Sequence, residues 1–560
     1  MKRLLSRFRH TPRSNHYWHA AAPFLLHRDR SHPVPTALTT AIRHLDIEHA
    51  WQLVEAFRRE DLNLNGLTGL AADVAAVLAE QEWVLCLDGL KAMSDDTAQA
   101  LAAHKGIGIS LNGLTTLSAT SASVLSHPRA YRCLNGIDEL DPVAAEAIAQ
   151  HGGALYLRGL SSLTNLSLAR KLATDNSMLS LDHLLALTDE IAQALGQRLG
   201  YGLSLNGLID LSPAAAGGLT QVELELKLNG LRTLSVPLAE SLARHVGGLD
   251  LNGIIEAADE ALEALGRHCG SLSLNSLTRL TLRGAKALAG VEGTLNLNGV
   301  ESIDDAAFPA LGRHRGECLR LDGLQTLTVA GAQALAAHGG FVSLCGLAAI
   351  QPDVAQALAR HHDWLVLDGL TTVDPPTAAA LAMHDGGLSL GGLSDLDPES
   401  AAALVKHRGF AITLDGVRTL CAEAATKLAA YESGRLSLAG LERFPHDTLL
   451  VRLVQQPGHL NLKGLKHIST EEAKVLATHD GRINLSGLTT LDAAAAEALA
   501  EHREALVLTG VKQLSDEAAV ALAKYRGDFV WLTGLTTLTA RAADTLRTNE
   551  RLHLAESICG

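Results

Sequence analysis

Residues 365–386 read LVLDGLTTVDPPTAAALAMHDG, and the same phrase recurs along most of the chain. Its central glycine stands at Gly369, and its counterparts run from Gly66 to Gly534, with His183 and Ser276 filling two places in the series. Those 468 residues divide into 20 steps, so the period alternates between 23 and 24. A period in this range predicts a solenoid, because one such unit cannot bury its apolar face without a neighbour.

Counting from the glycine, positions −4 and −2 are apolar (Leu365, Leu367), while −5 and −3 vary. This alternation predicts a short strand with one buried face. The Asn-Gly or Asp-Gly that follows predicts a tight turn, on the expectation that both residues tolerate positive φ. Leucines at +1 and +4 return to the interior. Position +5 carries Ser94, Ser118, Asp141, Thr164, Thr188, Ser212, Ser235, Thr281, Asp304, Thr328, Asp374, Asp397, Ser469, Asp492, Ser515 and Thr539. These are helix N-cap residues, and Pro142, Pro213, Pro352, Pro375 and Pro398 follow at N1, where a missing N–H costs nothing. An A-x-A-L-A helix follows, its alanines small enough to let it lie close to the strands. The expected fold is an α/β solenoid, a leucine-rich-repeat-like arc or horseshoe of about 21 repeats, with a parallel sheet on one face and short helices on the other.

These units resemble leucine-rich repeats of the helix-bearing, ribonuclease-inhibitor-like kind. Gly284–Ala289 (GAKALA) and Gly331–Ala336 (GAQALA) resemble the helix phrase of GALA-type bacterial effectors. The usual phrase sets an inward Asn three residues after L-x-L. This chain has Leu there and places Asn directly after L-x-L, as a variant class.

The ends divide the chain into three expected parts. Residues 1–38 form a flexible basic segment; 39–60 form a helical cap, with Ile42, Leu45, Ala50, Trp51, Val54 and Phe57 available to cover the first repeat; and 61–560 form the solenoid. Hydrophobic residues make up 47% of the chain but aromatics only 3%, so the interior is built from Leu and Ala. The net charge is −14; residues 1–40 carry +6, leaving −20 on the rest, which argues against nucleic acid wrapping the repeats. No apolar run is long enough to span a membrane. The seven cysteines are scattered, and Cys86 and Cys133 share a strand position two repeats apart, beyond disulfide reach, which suits reduced thiols in a cytoplasm.

A histidine closes successive helices at His104, His127, His151, His245, His268, His314, His338, His361, His384, His407, His479 and His502. Neither carboxylate nor cysteine keeps step with it, and Tyr431 and Tyr525 replace it. It therefore points to a structural group that caps helical carbonyls and packs over the turn, not to a metal ligand. No nucleophile–base arrangement, phosphate loop or zinc motif is present, so an enzyme and a cofactor are not expected.

Binding is expected where large or charged residues interrupt the outward Ser, Asn and Gly. Phe341 and Trp364 hold −5 of adjacent repeats, Tyr131 and Tyr156 lie diagonally, and Arg435, His459 and Arg482 form a basic stripe. Aromatics and Arg are common interface anchors. The leading expectation is a non-enzymatic, cytoplasmic scaffold that binds a protein on the sheet face, with no nucleic-acid or membrane partner. The alternatives are a translocated effector using the basic N-terminal segment for export, and a carbohydrate-recognition module.

Overall fold

In the computed structural model, residues 40, 42–126, 130–175, 177–198 and 200–554 are described; the basic segment 1–38, His127 and Cys559 lie outside them. Strands of two or three residues alternate with helices of mostly seven or eight, from the helix Ile47–Ala56 to the strand Leu552–Leu554. Every strand pair is parallel and joins one repeat to the next, with Leu opposite Leu, as in Leu62↔Leu85 and Leu365↔Leu388. This is an α/β solenoid of leucine-rich repeats.

Among the described residues, the main sheet runs as blocks of five, twelve and five strands. One break falls between Leu155–Tyr156 and Leu179–Ser180, the other between Arg435–Ser437 and Leu460–Asn461. A smaller parallel pair joins Arg279–Leu280 to Ser302–Ile303.

The core is the set of phrase positions repeated. Leu365, Leu367, Leu370 and Leu381 are at most 1% exposed, and their equivalents form one continuous cluster through the described chain. Each such side chain contributes about 1.5–3 kcal/mol by leaving water. Most of the expected caps form: Ser94, Asp374 and Ser515, for example, accept from the N–H three residues on. Two differ. Asn165 replaces Thr164 as the cap of Leu166–Ala173, and the helix after Asp304 shrinks to Phe308–Leu311 because the chain first makes a turn, Ala307 N–H donating to Asp304 O.

The glycine has a different reason from the one its dipeptide suggests. Among the described residues, positive φ occurs only at Gly202, Gly458 and Gly481, none of them a turn glycine of the phrase. Instead, a Cβ built on Gly253 would collide with the carbonyl oxygens of Asn229 and Leu231 in the preceding repeat. The same collision recurs at Gly89 with Asn65 and Leu67. Glycine is needed there because consecutive turns nest backbone on backbone.

The residue before the glycine tightens that nest. The side-chain oxygen of Asn206 accepts from Asn229 N–H at 3.0 Å, Asn229 from Asn252 N–H at 2.9 Å, and Asn252 from Asn275 N–H at 2.9 Å. An aspartate there does the same and takes a second donor: Asp182 accepts from Asn206 N–H at 2.9 Å and Ser204 Oγ at 2.5 Å.

Position +15 lines a buried column along the helix ends. His384 Nε2 lies 2.9 Å from Asp363 O, and His479 Nδ1 lies 2.8 Å from Val454 O. His314, His338, His361 and His384 stack ring on ring at 5.4, 6.5 and 5.9 Å, and His407 continues to Tyr431 at 6.2 Å. Desolvation lowers the basicity of the stacked rings from His314 to His407, and His314, His361 and His407, like His151 in an earlier repeat, are pushed down to about 4. At four of the places without the histidine, Gln81, Arg198, Tyr525 and Asn549 donate to the carbonyls of the previous turn instead. In part of the column the side chain thus pairs carbonyls that the repeat junction would otherwise bury, while Val222 and Val291 fill the same position with apolar packing alone.

At the first repeat, Ala50 and Val54 of the leading helix and Phe57 at its C-cap are buried, with Ile42 and Leu45 packed partly against the core. Trp51 faces away, 51% exposed. Cys86 and Cys133 flank Ser110 in the sheet register, and burial raises both thiols, to about 12 and about 11.

Candidate binding face of the sheet

With the inward positions occupied by the core, the −5, −3 and −1 side chains stand on the other face of the sheet. Most are small. The large ones lie along the sheet, across neighbouring repeats, and their direction depends on where a glycine leaves room.

Tyr131 lies over Gly108, where a Cβ would strike its ring, and meets Tyr156 edge to face with centroids 6.4 Å apart and planes at 74°. Burial raises both phenols. Phe341 and Trp364 occupy neighbouring strands but do not form a pair. Arg320 covers Phe341, its guanidinium carbon 5.6 Å from the ring centroid. Trp364 turns the other way, over Gly387, and meets Phe410 at 5.3 Å and 76°. Phe410, at −6 and 51% exposed, was not among the expected residues. These edge-to-face pairs present ring edges, and neither offers two coplanar faces.

The basic stripe is partly a clasp across the second break in the sheet. Arg435 donates to His459 O, and His459 Nδ1 lies 3.0 Å from Arg482 O. Beneath them, buried Gln456 takes over the missing ladder: its oxygen accepts from Leu436 N–H at 2.5 Å and its amide donates to Leu436 O at 3.1 Å. Arg452 reaches back to the Tyr431 and Gly434 carbonyls. Burial, then the neighbouring Arg482 and Arg435, lower the basicity of His459, so at neutral pH the stripe carries the two arginine charges.

Arg482 does not extend the stripe toward Arg435; it reaches the other way. Its guanidinium carbon lies 4.8 Å from the Trp531 centroid, and Trp531 stacks on His553 at 6.0 Å and 18°. Phe529 meets His553 at 5.3 Å and is 47% exposed. The intervening strand carries Ala505 and Val507 outward, yet they are only 9% and 8% exposed, because Arg482 and Trp531 close over them. Phe529 and Trp531 occupy −5 and −3 of their repeat, so the phrase itself marks them as outward.

An inward departure also went unread. Arg132 stands at −4, where the phrase has Leu, and is fully buried between His104 and His151. It donates to Tyr131 O at 3.1 Å, and burial holds it down to about 10. Among the described residues, no three His, Cys, Asp or Glu side chains gather as a metal site would need. No helix of the described residues is long and apolar enough to cross a membrane.

No family model matches the chain, and no curated protein matches it. Among solved structures it is similar to that of a TLR13–ssRNA13 complex, at 14% identity and a TM-score of 0.46 over 92% of this chain and 94% of that one. An internalin (inlF) of Listeria monocytogenes matches at 15% identity and 0.30, over 66% of this chain and 89% of that one. A leucine-rich-repeat protein of Leptospira interrogans matches at 16% and 0.18, over 92% and 88%.

Proposed function

We propose that the chain is a non-enzymatic scaffold that holds a protein partner against its sheet face. One observation carries this reading. The turn glycine, the cap, the helix alanines and the +15 column are all engaged by the fold, while Trp364, Arg482 and Phe529 hold the outward −5 position that many other repeats fill with Gly, Ala or Ser, and exposed Phe410 lies beside Trp364. Large aromatics and Arg held on a rigid sheet are what interface anchors require.

Affinity capture by the full chain tests it. A variant combining Tyr156→Ser, Trp364→Ala and Arg482→Glu loses its partner while keeping the wild-type melting curve. A variant with as many exposed helix residues changed keeps the partner. Loss confined to the helix variant overturns the reading.

The +6 charge of residues 1–40 favours a second reading, export of this scaffold into another cell. Deleting residues 1–38 then stops secretion and leaves the repeats folded; unchanged secretion removes it.

A further inference from the structure

The outward charges are segregated. At −5, −3 and −1 of the repeats from Gly66 to Gly416 stand eight carboxylates (Asp61, Asp88, Asp182, Glu225, Asp250, Asp322, Asp368, Asp415) against Arg158, Lys227 and Arg320. From Arg435 to the last strand, the same positions hold Arg435, His459, Lys463, Arg482, Arg551 and His553, and no carboxylate. On a chain of net charge −14, this block is a local cationic face.

Within it, Arg482, Trp531 and His553 form a stack that fixes a guanidinium in place. Packing against the indole removes part of its water and restricts its rotamers, so less entropy is lost when an anion binds. Among the described residues, no ion pair engages Arg435, Lys463, Arg482 or Arg551. Of the block's carboxylates, Asp480, Glu504, Asp528 and Glu550 come just before the outward positions and bound the patch on that side, and the others lie past the turn glycine, Glu442 at its edge and the rest in and around the helices. Lys466 and Lys512, two residues past their glycines, extend the positive charge toward the turn edge.

We propose that this end of the sheet is a docking site for an acidic, extended polypeptide segment, with Arg482 and Arg551 pairing its carboxylates and Phe529 receiving an apolar side chain. The proposal rests on the sheet-face reading above and narrows it to one end and one chemistry. A single-stranded nucleic acid fits less well. Its affinity depends on open aromatic faces for bases, and the two faces of Trp531 are taken by Arg482 and His553. The acidic repeats beyond the patch also repel a long polyanion, whereas a short segment stays within it.

Fluorescence anisotropy with the full chain tests this, using a short labelled Glu-rich peptide containing one Phe, its Gln-for-Glu counterpart, and a labelled oligothymidylate. The Glu peptide binds, and raised salt weakens it; the Gln peptide and the oligothymidylate do not bind. Arg482→Glu weakens the Glu peptide by roughly thirtyfold, and Arg482→Gln, which is milder to the fold, moves it in the same direction. Arg320→Glu, which removes the cation over Phe341 on a central strand, leaves it unchanged. Equal binding after Arg482→Glu, or preference for the oligothymidylate, overturns the proposal. So does the absence of peptide binding in a chain that still captures its partner through the Trp364 region, an outcome that leaves the sheet-face reading standing.

Discussion

The twelve-strand central block and the five-strand C-terminal block share an interior and differ in two places. Both nest turn glycines against the preceding backbone, as at Gly253 and Gly510, and both bury leucine at the same positions. Outside, the central strands present mostly small residues and carboxylates, whereas the last block presents Arg482, Arg551 and a stacked aromatic group. Inside, the central column runs through five successive histidines to Tyr431, whereas the last two repeats use Tyr525 and Asn549. The repeat tolerates such exchange because only its inward positions and backbone nest are fixed by packing. What distinguishes one stretch from another is written at the positions the packing leaves open.

Acid gives the largest expected difference between the blocks. From His314 to His407 the column histidines have folded values below the unfolded 6.5, with His314, His361 and His407 at about 4. Their contribution is complete above pH about 6.5. As pH falls from there toward 4, the unfolded chain binds protons that the folded chain refuses, and each such histidine costs about 1.4 kcal/mol per pH unit. Hydrogen exchange at pH 5 is expected to open residues 314–407 well before 506–554. Simultaneous opening would break the distinction.

Replacing a turn glycine tests the shared interior. Gly253→Ala and Gly510→Ala each force a Cβ onto carbonyl oxygens, Asn229 and Leu231 in one case, Ser486 and Leu488 in the other. Each is expected to cost about 3 kcal/mol in denaturant unfolding. Gly217→Ala, where nothing lies within 4 Å, instead gains up to about 1 kcal/mol of helix stability. Unequal costs at 253 and 510 would show that the blocks do not share one nest.

Gln456→Ala acts on the joint between the blocks. It leaves Leu436 N–H and C=O without partners in a buried place and is expected to cost about 2 kcal/mol, with faster exchange at the Leu436 amide. The smallest effect is expected from Asn229→Ala, which removes one link of the turn ladder at about 1 kcal/mol and leaves peptide binding by the last block untouched.

The sequence made the repeat legible because its signals are local: an N-cap residue at +5, proline at +6 and period-2 leucines each follow from a few adjacent residues. Features that depend on a neighbouring repeat were not legible. The glycine looked like a φ residue, and only the packed turns show that it admits a carbonyl of the previous repeat. Phe341 and Trp364 looked like a pair, but Gly387 gives the indole room on the opposite side. Arg435 and His459 looked like free charges, although the break in the sheet engages them with backbone carbonyls. Arg132 could not be anticipated from a phrase that reserves its place for leucine.

The docking proposal puts the acidic segment on the outward residues of the last block and not on the positions that every repeat shares. Photo-crosslinking compares the blocks directly, with the same photoreactive residue placed at Asn484 in one chain and at Asn296 in another, both at −3 of their repeats. With the Glu-rich peptide in solution, a crosslink is expected from 484 and none from 296. Equal yields at the two positions, or a crosslink from 296 alone, would contradict it.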